Sequence, residues 1–415
     1  MALFAVLVMT AMSTGVSRAQ EAECGIERDA GTRALDEMTW KQLNAIYEDV
    51  SEERYAEARN DLRKMLARAG RDTYLRAIIN QALAQVEWSQ KNYPESLGYF
   101  EQAIELDSLP DQAHFALMYQ AAQLYFMQER YDEALDRLEL WFCKSPAERI
   151  TPDAYVLLAS INVEKEDYGG VLEAIDTAIL MDSDPREQWF QLKLAANYEL
   201  EQFPRAAETL EVMVMKWPDR KTYWIQLSQI CSRLKQDQKS LAVLAMAYRK
   251  GLLDKSADLV HLSSLYRNAE VPYKAAAVLE QGIRDGIVEP DRLHWTMVAE
   301  SWYAAEELEK SLQAFEAAGK ATGNGASDLR RGFILVDLER WQEALESLDL
   351  ALEKGGLDER NTGEAYLLRG MVEFKLGNLE SAAADWENAG RFDGSREAAG
   401  QWIDFLQDER RRAAN

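Results

Sequence analysis

A small or short residue three places after an aromatic or other bulky one recurs ten times along the 415-residue chain. The clear copies are Tyr55–Ala58, Tyr93–Ser96, Tyr131–Ala134, Tyr168–Val171 and Phe203–Ala206. Looser ones follow at Asp237–Ser240, Pro272–Ala275, Leu308–Ser311, Trp341–Ala344 and Leu379–Ala382. Successive small residues lie 38, 38, 37, 35, 34, 35, 36, 33 and 38 positions apart. A period of this length belongs to a repeat array, in which each unit buries its apolar face only against its neighbours.

Each copy carries the same surroundings. Four residues beyond the small one stands a large apolar residue: Leu62, Phe100, Leu138, Ile175, Leu210, Leu244, Leu279, Phe315, Leu348 or Trp386. Three further on, a small residue often returns, as at Ala103, Ala178, Ala247, Gly282, Ala318, Ala351 and Ala389. Spacings of four and seven keep one face of a helix. A preceding stripe, Trp224–Leu227–Ser228–Cys231 or Trp295–Val298–Ala299–Trp302, marks a first helix before each such second helix. Polar turns such as QERYDEA (128–134) and LERWQEA (338–344) join the two, and Pro146 and Pro218 stop second helices. Alternating runs of β-branched residues are absent and only 9 prolines occur, so the chain is expected to be all-α. Two helices of about 14 residues are marginal alone, so the hairpins must stack to share a core.

The pattern Trp224…Leu227-Ser228…Ser240…Leu244…Ala247, fuller in Trp295…Val298-Ala299…Trp302…Ser311…Phe315…Ala318, resembles the tetratricopeptide repeat (TPR). The resemblance covers roughly residues 36–395. It implies a TPR-like superhelical solenoid of about ten helical hairpins, whose first helices line a ligand groove. Departures are the frequent lack of the closing proline and the missing early aromatic in repeats one, five and nine. Extra residues near 70–77, 108–115 and 356–363 are expected to form longer loops, and the GNG at 323–325 a turn between repeats. Arg396 to Arg412 reads as a capping helix with Trp402, Ile403 and Leu406 inward, its Arg410, Arg411 and Arg412 favouring the helix C-terminus. The stretch 217–276 is similar to periplasmic TPR proteins associated with TonB systems of proteobacteria. That similarity implies an accessory role in outer-membrane transport.

The organisation expected is therefore a signal peptide (1–19), a lead segment (20–35), the solenoid (36–395) and a capping helix with tail (396–415). Ala2 to Met12 form an apolar run of export-signal length, and Ser17 and Ala19 stand where a signal peptidase cuts, so the mature chain would begin at Gln20. No Lys or Arg precedes the run, which leaves the translation start open. Glu23 before Cys24 argues against a lipid anchor, and no later stretch has the roughly 20 apolar residues of a membrane span. A periplasmic location follows as the expectation. Cys24, Cys143 and Cys231 allow one disulfide in an unspecified pairing, with a buried free thiol the default at Cys143 and Cys231.

No catalytic constellation emerges. His114, His261 and His294 have no His or Cys at metal-binding spacing, and neither a phosphate-cradling glycine loop nor a nucleophile motif occurs. The expectation is a non-enzymatic chain with no metal and no cofactor. A formal charge of −24 repels nucleic-acid phosphates and anionic lipid, which leaves protein as the expected partner. Against that background residues 216–274 hold eleven basic and five acidic side chains, a net +6. This island either grips an acidic or C-terminal carboxylate segment or is an uneven scatter of solvated charge. If it binds, the candidates are Arg233 and Arg267, at matching repeat positions at the ends of successive first helices, Gln229 and Ser264, also matching and one turn earlier on the same face, and Lys221. Tyr198 and Tyr303, in the slot just before Arg233, would add aromatic contact. Trp224 and Trp295 are assigned to the core instead. The function expected is a periplasmic protein–protein scaffold. It reads first as an accessory of a TonB-dependent system and second as an envelope-assembly adaptor for outer-membrane or peptidoglycan machinery, with a regulatory subunit of an enzyme as a third reading.

Overall fold

The computed structural model describes residues 33–414. The expected export signal, Cys24 and most of the expected lead segment fall outside them. Among the described residues there are helices and no strands. Ten hairpins follow one another: α1 (Glu37–Ser51) with α2 (Tyr55–Arg68), α3 (Thr73–Ser89) with α4 (Tyr93–Glu105), α5 (Asp111–Met127) with α6 (Tyr131–Lys144), α7 (Pro152–Glu164) with α8 (Tyr168–Met181), and α9 (Glu187–Glu199) with α10 (Phe203–Lys216). Then come α11 (Lys221–Arg233) with α12 (Asp237–Arg249), α13 (Ser256–Asn268) with α14 (Pro272–Arg284), α15 (Arg292–Ala304) with α16 (Leu308–Lys320), α17 (Ala326–Asp337) with α18 (Trp341–Lys354), and α19 (Glu359–Lys375) with α20 (Leu379–Ala389). The closing helix is α21 (Arg396–Ala414).

The chain divides into two compact units at Thr209/Leu210. Within each, helices pack on their sequence neighbours in series. This is the expected all-α solenoid of hairpins.

Each bulky residue of the ten-fold pattern is the first residue of a second helix. All ten small residues, Ala58 through Ala382, are wholly buried, and the ten large ones four places on are at most 3% exposed. The small side chains admit a close approach of the two helices of a hairpin, and hydroxyls fasten it where serine occurs. The Ser96 hydroxyl donates to the Ala84 carbonyl oxygen (2.8 Å), Ser263 to Ala275 (2.9 Å) and Ser311 to Ala299 (2.9 Å).

Between the helices of every hairpin lies one residue in the left-handed region, two places before the second helix begins. These are Glu53, Lys91, Glu129, Glu166, Glu201, Lys235, Glu270, Glu306 and Glu339, with Gly377 in the tenth. Each forms the same double cap. The Glu306 N–H donates to the Tyr303 carbonyl (2.9 Å) and the Glu307 N–H to that of Trp302 (3.0 Å), for example. The pair of bonds satisfies carbonyls that the first helix would leave orphaned.

Two expectations need correction. The extra residues near 70–77, 108–115 and 356–363 lengthen helices rather than loops: α3, α5 and α19 run 17 residues, where α11, α13 and α15 run 13. Carboxylate caps start two of them early, since Asp72 accepts from the Leu75 N–H and Asp358 from that of Asn361. Cys143 is disulfide-bonded instead of a free thiol, while Cys231 is free and fully buried. Trp224 and Trp295 pack against the core of the second unit but stay half-buried, and the Trp224 indole N–H donates to the Pro218 carbonyl (2.9 Å). Beside Trp224, Tyr223 takes the buried position.

The apolar face of the closing helix packs inward as expected. Leu406 is buried, and Trp402 stacks on the fully buried Trp386 with centroids 5.2 Å apart. Its arginines pair with nearby carboxylates, Arg410 with Glu380 and Arg412 with Glu409.

Candidate functional site

The second unit presents one face of its first helices to solvent, and the helical period explains which side chains it carries. Counting back from the small residue of the following helix, positions 12 and 10 are buried in all four hairpins from α11 to α18. They are Ser228 and Ile230, Ser263 and Leu265, Ala299 and Ser301, Gly332 and Ile334. Positions 14 and 11 lie on the other side, with 8 or 7 one turn further on. They hold Gln226, Gln229 and Arg233 on α11; His261, Ser264 and Arg267 on α13; Met297, Glu300 and Tyr303 on α15; and Arg330, Phe333 and Asp337 on α17. None of the twelve is buried.

Five of the seven sequence candidates stand on this strip. Gln229 and Arg233 are exposed, as are Arg267 and Tyr303, and Ser264 is half-buried with its hydroxyl donating to the Val260 carbonyl of its own helix (2.9 Å). The expected register of the two arginines is off by one. Measured from the left-handed residues Lys235 and Glu270, Arg233 is two places back and Arg267 three. Arg267 therefore shares its slot with Ser232, Tyr198 and Tyr303, and Arg233 shares its own with Asn268.

Lys221 does not belong to the strip. Its ammonium pairs with Asp254 and, at 2.6 Å, with Asp258, both from the next hairpin's entry. Burial pulls that ammonium down, but the hydrogen bonds to the two carboxylates outweigh it and hold Lys221 above its ordinary value. The Lys221 bond in turn lowers Asp254. This is a strut between hairpins. Tyr198 lies in the first unit, half-buried, with its ring edge-on to Phe203 at 6.3 Å.

Part of the basic island is spent internally in the same way. Lys239 pairs with Glu211, and Lys250 approaches Asp219 at 3.9 Å. Arg267, by contrast, makes no side-chain ion pair among the described residues.

Sequence reasoning missed the strip's far end. Between α15 and α17 opens a pocket of about 370 Å³. Phe315 and Ile334 form its apolar lining, with Tyr303 and Phe333, and Glu300, Arg330 and Asp337 supply its charges. Phe315, a large residue of the ten-fold pattern, and Tyr303 have a signal in the repeat; the charged residues look in sequence like solvated surface. Nearer α11, Gln226 Oε1 and His261 Nε2 occupy equivalent positions on successive first helices. Both atoms are buried, and neither has a hydrogen-bond partner among the described residues. His294 is different, with Nδ1 3.0 Å from the Glu289 carbonyl at the start of α15. His114 is buried, its Nδ1 3.6 Å from Asp107. No group of three or more His, Cys, Asp or Glu among the described residues is arranged to hold a metal ion. No helix among them is long and apolar enough to cross a membrane.

Residues 74–140 and 329–401 each match a family model described as tetratricopeptide repeat. No curated protein matches the sequence. Among solved structures, the chain is similar to one of Naa15/Naa10 bound to HypK-THB at 12% identity and TM-score 0.42. That alignment covers 89% of this chain and 66% of the other, just under two thirds of its length. Similarity also extends to YrrB, described as a TPR protein with an unusual peptide-binding site (17% identity, TM-score 0.36, 47% of this chain and 98% of that one). A tetratricopeptide repeat protein from Parabacteroides merdae aligns at 12% identity and TM-score 0.30, over 62% of this chain and 98% of its own.

Proposed function

We propose that this chain, a tetratricopeptide-repeat protein, is a non-catalytic scaffold that holds an extended segment of a protein partner along the first-helix strip of α11, α13, α15 and α17. Tetratricopeptide repeats generally serve protein–protein interaction. The observation that carries the reading here is the strip itself. Four successive first helices keep the same positions accessible, and these carry arginine, glutamine, histidine and aromatic side chains rather than a uniform acidic coat. Arg and Tyr give contact area and directional hydrogen bonds at modest entropic cost, which suits them to binding faces.

The finer assignment is an exported, periplasmic accessory of a TonB-dependent transport system. Its support is the apolar, peptidase-like leader and the similarity of 217–276 to TonB-associated periplasmic repeat proteins. The basic end of the strip, Arg233 and Arg267, is the part proposed to meet an acidic or C-terminal carboxylate segment.

Affinity capture from crosslinked cells tests both levels. Tagged wild-type protein is compared with a form carrying Arg233→Glu and Arg267→Glu, and the captured proteins are identified by mass spectrometry. TonB-system proteins recovered with wild type alone are the expected result. Envelope-assembly machinery in their place would overturn the transport assignment, and identical recoveries from both baits would overturn the basic end as the site. Sequencing the mature N-terminus from a periplasmic fraction should return Gln20.

A further inference from the structure

The pocket between α15 and α17 gathers three charged side chains in one cavity. Charged side chains elsewhere in the second unit often pair, as half-buried Arg340 does with Glu309 and Glu343, Lys310 with Glu307, and buried Asp328 with Lys354, although among the described residues Arg267 and Glu306 do not. Glu300, Arg330 and Asp337 make no ion pair among the described residues, although all three line one cavity. Two carboxylates against one guanidinium leave the cavity a net charge of −1. Its walls include the rings of Tyr303 and Phe333. An aromatic face draws a cation into a partly desolvated site, and a carboxylate there forms its strongest hydrogen bonds with one.

From this arrangement we infer that the pocket is a socket for a single cationic side chain, arginine or lysine, on the partner's bound segment. The inference rests on the proposal that the strip holds a protein segment, and it adds what that segment must carry. The aliphatic stem of the side chain would lie against the apolar wall and its charged head between Glu300 and Asp337, while Arg330 donates to carbonyl oxygens of the same segment. The strip is then polar from end to end. It is basic at Arg233 and Arg267 and net acidic at the socket two hairpins on, so it selects a segment of opposite polarity in one direction only. An apolar occupant would leave Glu300 and Asp337 partly desolvated and unpaired, which is unfavourable. An acidic one would have to face both carboxylates with only Arg330 to favour it.

Capped single amino acids stand in for the partner's side chain and probe the socket directly. Titrations of the full chain with N-acetyl-arginine methylamide, N-acetyl-norleucine methylamide and N-acetyl-aspartate methylamide are followed by saturation-transfer NMR, in wild type and in Glu300→Gln with Asp337→Asn. Both substituted side chains are exposed, so the fold is expected to survive, which circular dichroism checks. The arginine probe should bind wild type best and lose about tenfold in affinity in the double variant, a change of about 1.4 kcal/mol. Tyr303→Ala should weaken it as well, while Arg267→Glu, outside the pocket, should not. Equal binding of the norleucine probe, preference for the aspartate probe, no detectable arginine binding, or indifference to the double variant would each overturn the socket. Captured partners alongside a failed probe would discard the socket and leave the scaffold standing. A bound probe with no captured partner would do the reverse.

Discussion

Nine of the ten hairpins place a glutamate or lysine in the left-handed region, where glycine is the usual occupant. A side chain there costs roughly 1–2 kcal/mol from Cβ crowding, part of which glycine returns as extra freedom in the unfolded chain. Glu306 is exposed and makes no side-chain ion pair among the described residues, so only this backbone term changes on substitution. Glu306→Gly should therefore stabilise the protein by about 0.5–1 kcal/mol. Glu306→Val, branched at Cβ, should destabilise it by about 1 kcal/mol or more. Urea unfolding followed by circular dichroism reads both, and destabilisation by glycine would contradict the account. The tryptophans divide by burial in the same way. Trp386 is wholly enclosed and its truncation to alanine should cost about 3–5 kcal/mol. Trp224 is half-exposed, so Trp224→Ala should cost less, about 1–3 kcal/mol.

At the scale of the helix and the hairpin, the small–large spacing is legible because burial repeats with the helical period. Ala58, Phe100 and Leu348 are identifiable as core from spacing alone. The turn residues are not, since a glutamate in a left-handed cap looks in sequence like any polar loop position. Helix length escapes for a related reason. Added residues near 356–363 fit a loop as well as an extra turn, and the decision belongs to the Asp358 carboxylate, which accepts from the Asn361 N–H at 2.7 Å. Asp358→Ala should cost about 1 kcal/mol and speed amide exchange in the first turn of α19, with the turns beyond unaffected. The proposed binding strip is legible in part: helix ends are recognisable, and Arg267 and Tyr303 stand there. Register within a helix end is legible only by counting: Arg233 lies seven residues before Ser240 and Arg267 eight before Ala275, and one residue of offset turns a side chain by about 100°, which separates Arg233 from the slot of Arg267.

The contact between hairpins at α16 and α18 adds a pH dependence. Arg340 joins Glu309 (2.7 Å) to Glu343, and its hydrogen bonds hold the Glu343 carboxyl below its ordinary value of 4.5. A carboxyl lowered by folding takes up its proton in the unfolded chain first, so its stabilisation is present above pH 4.5 and fades as the pH falls through the folded value. Melting followed between about pH 6 and pH 3 should show a shallower acid decline in Glu343→Gln than in wild type. Parallel declines would mean the pair contributes nothing measurable, as exposed pairs often do.

For the whole molecule, the deciding quantity is how a net charge of −24 coexists with a basic end of one strip. Internal pairing accounts for several of the island's cations. Lys221 is engaged by Asp254 and Asp258, and Lys239 by Glu211. Arg267 has no such commitment. It stands at the slot that Tyr303 occupies one hairpin on, so a segment passing along the strip meets both. A long-range acidic field repels acidic segments and is screened by salt, with a Debye length of about 10 Å at 0.1 M, whereas the short-range Arg267 contact is screened less. Salt therefore has two opposed effects on capture of an acidic segment, relieving repulsion by the molecule and weakening attraction by the strip. Reversing the charge at Arg267 removes only the second. Capture by wild type should change little or fall between about 50 and 500 mM salt, while the residual capture by Arg267→Glu should rise over the same range. Lys221→Gln should instead lower melting temperature and leave the salt response of wild type intact. If Lys221→Gln alters the salt response as Arg267→Glu does, the division between strut and strip is wrong, and the island acts as a diffuse field instead of through the side chains its first helices expose.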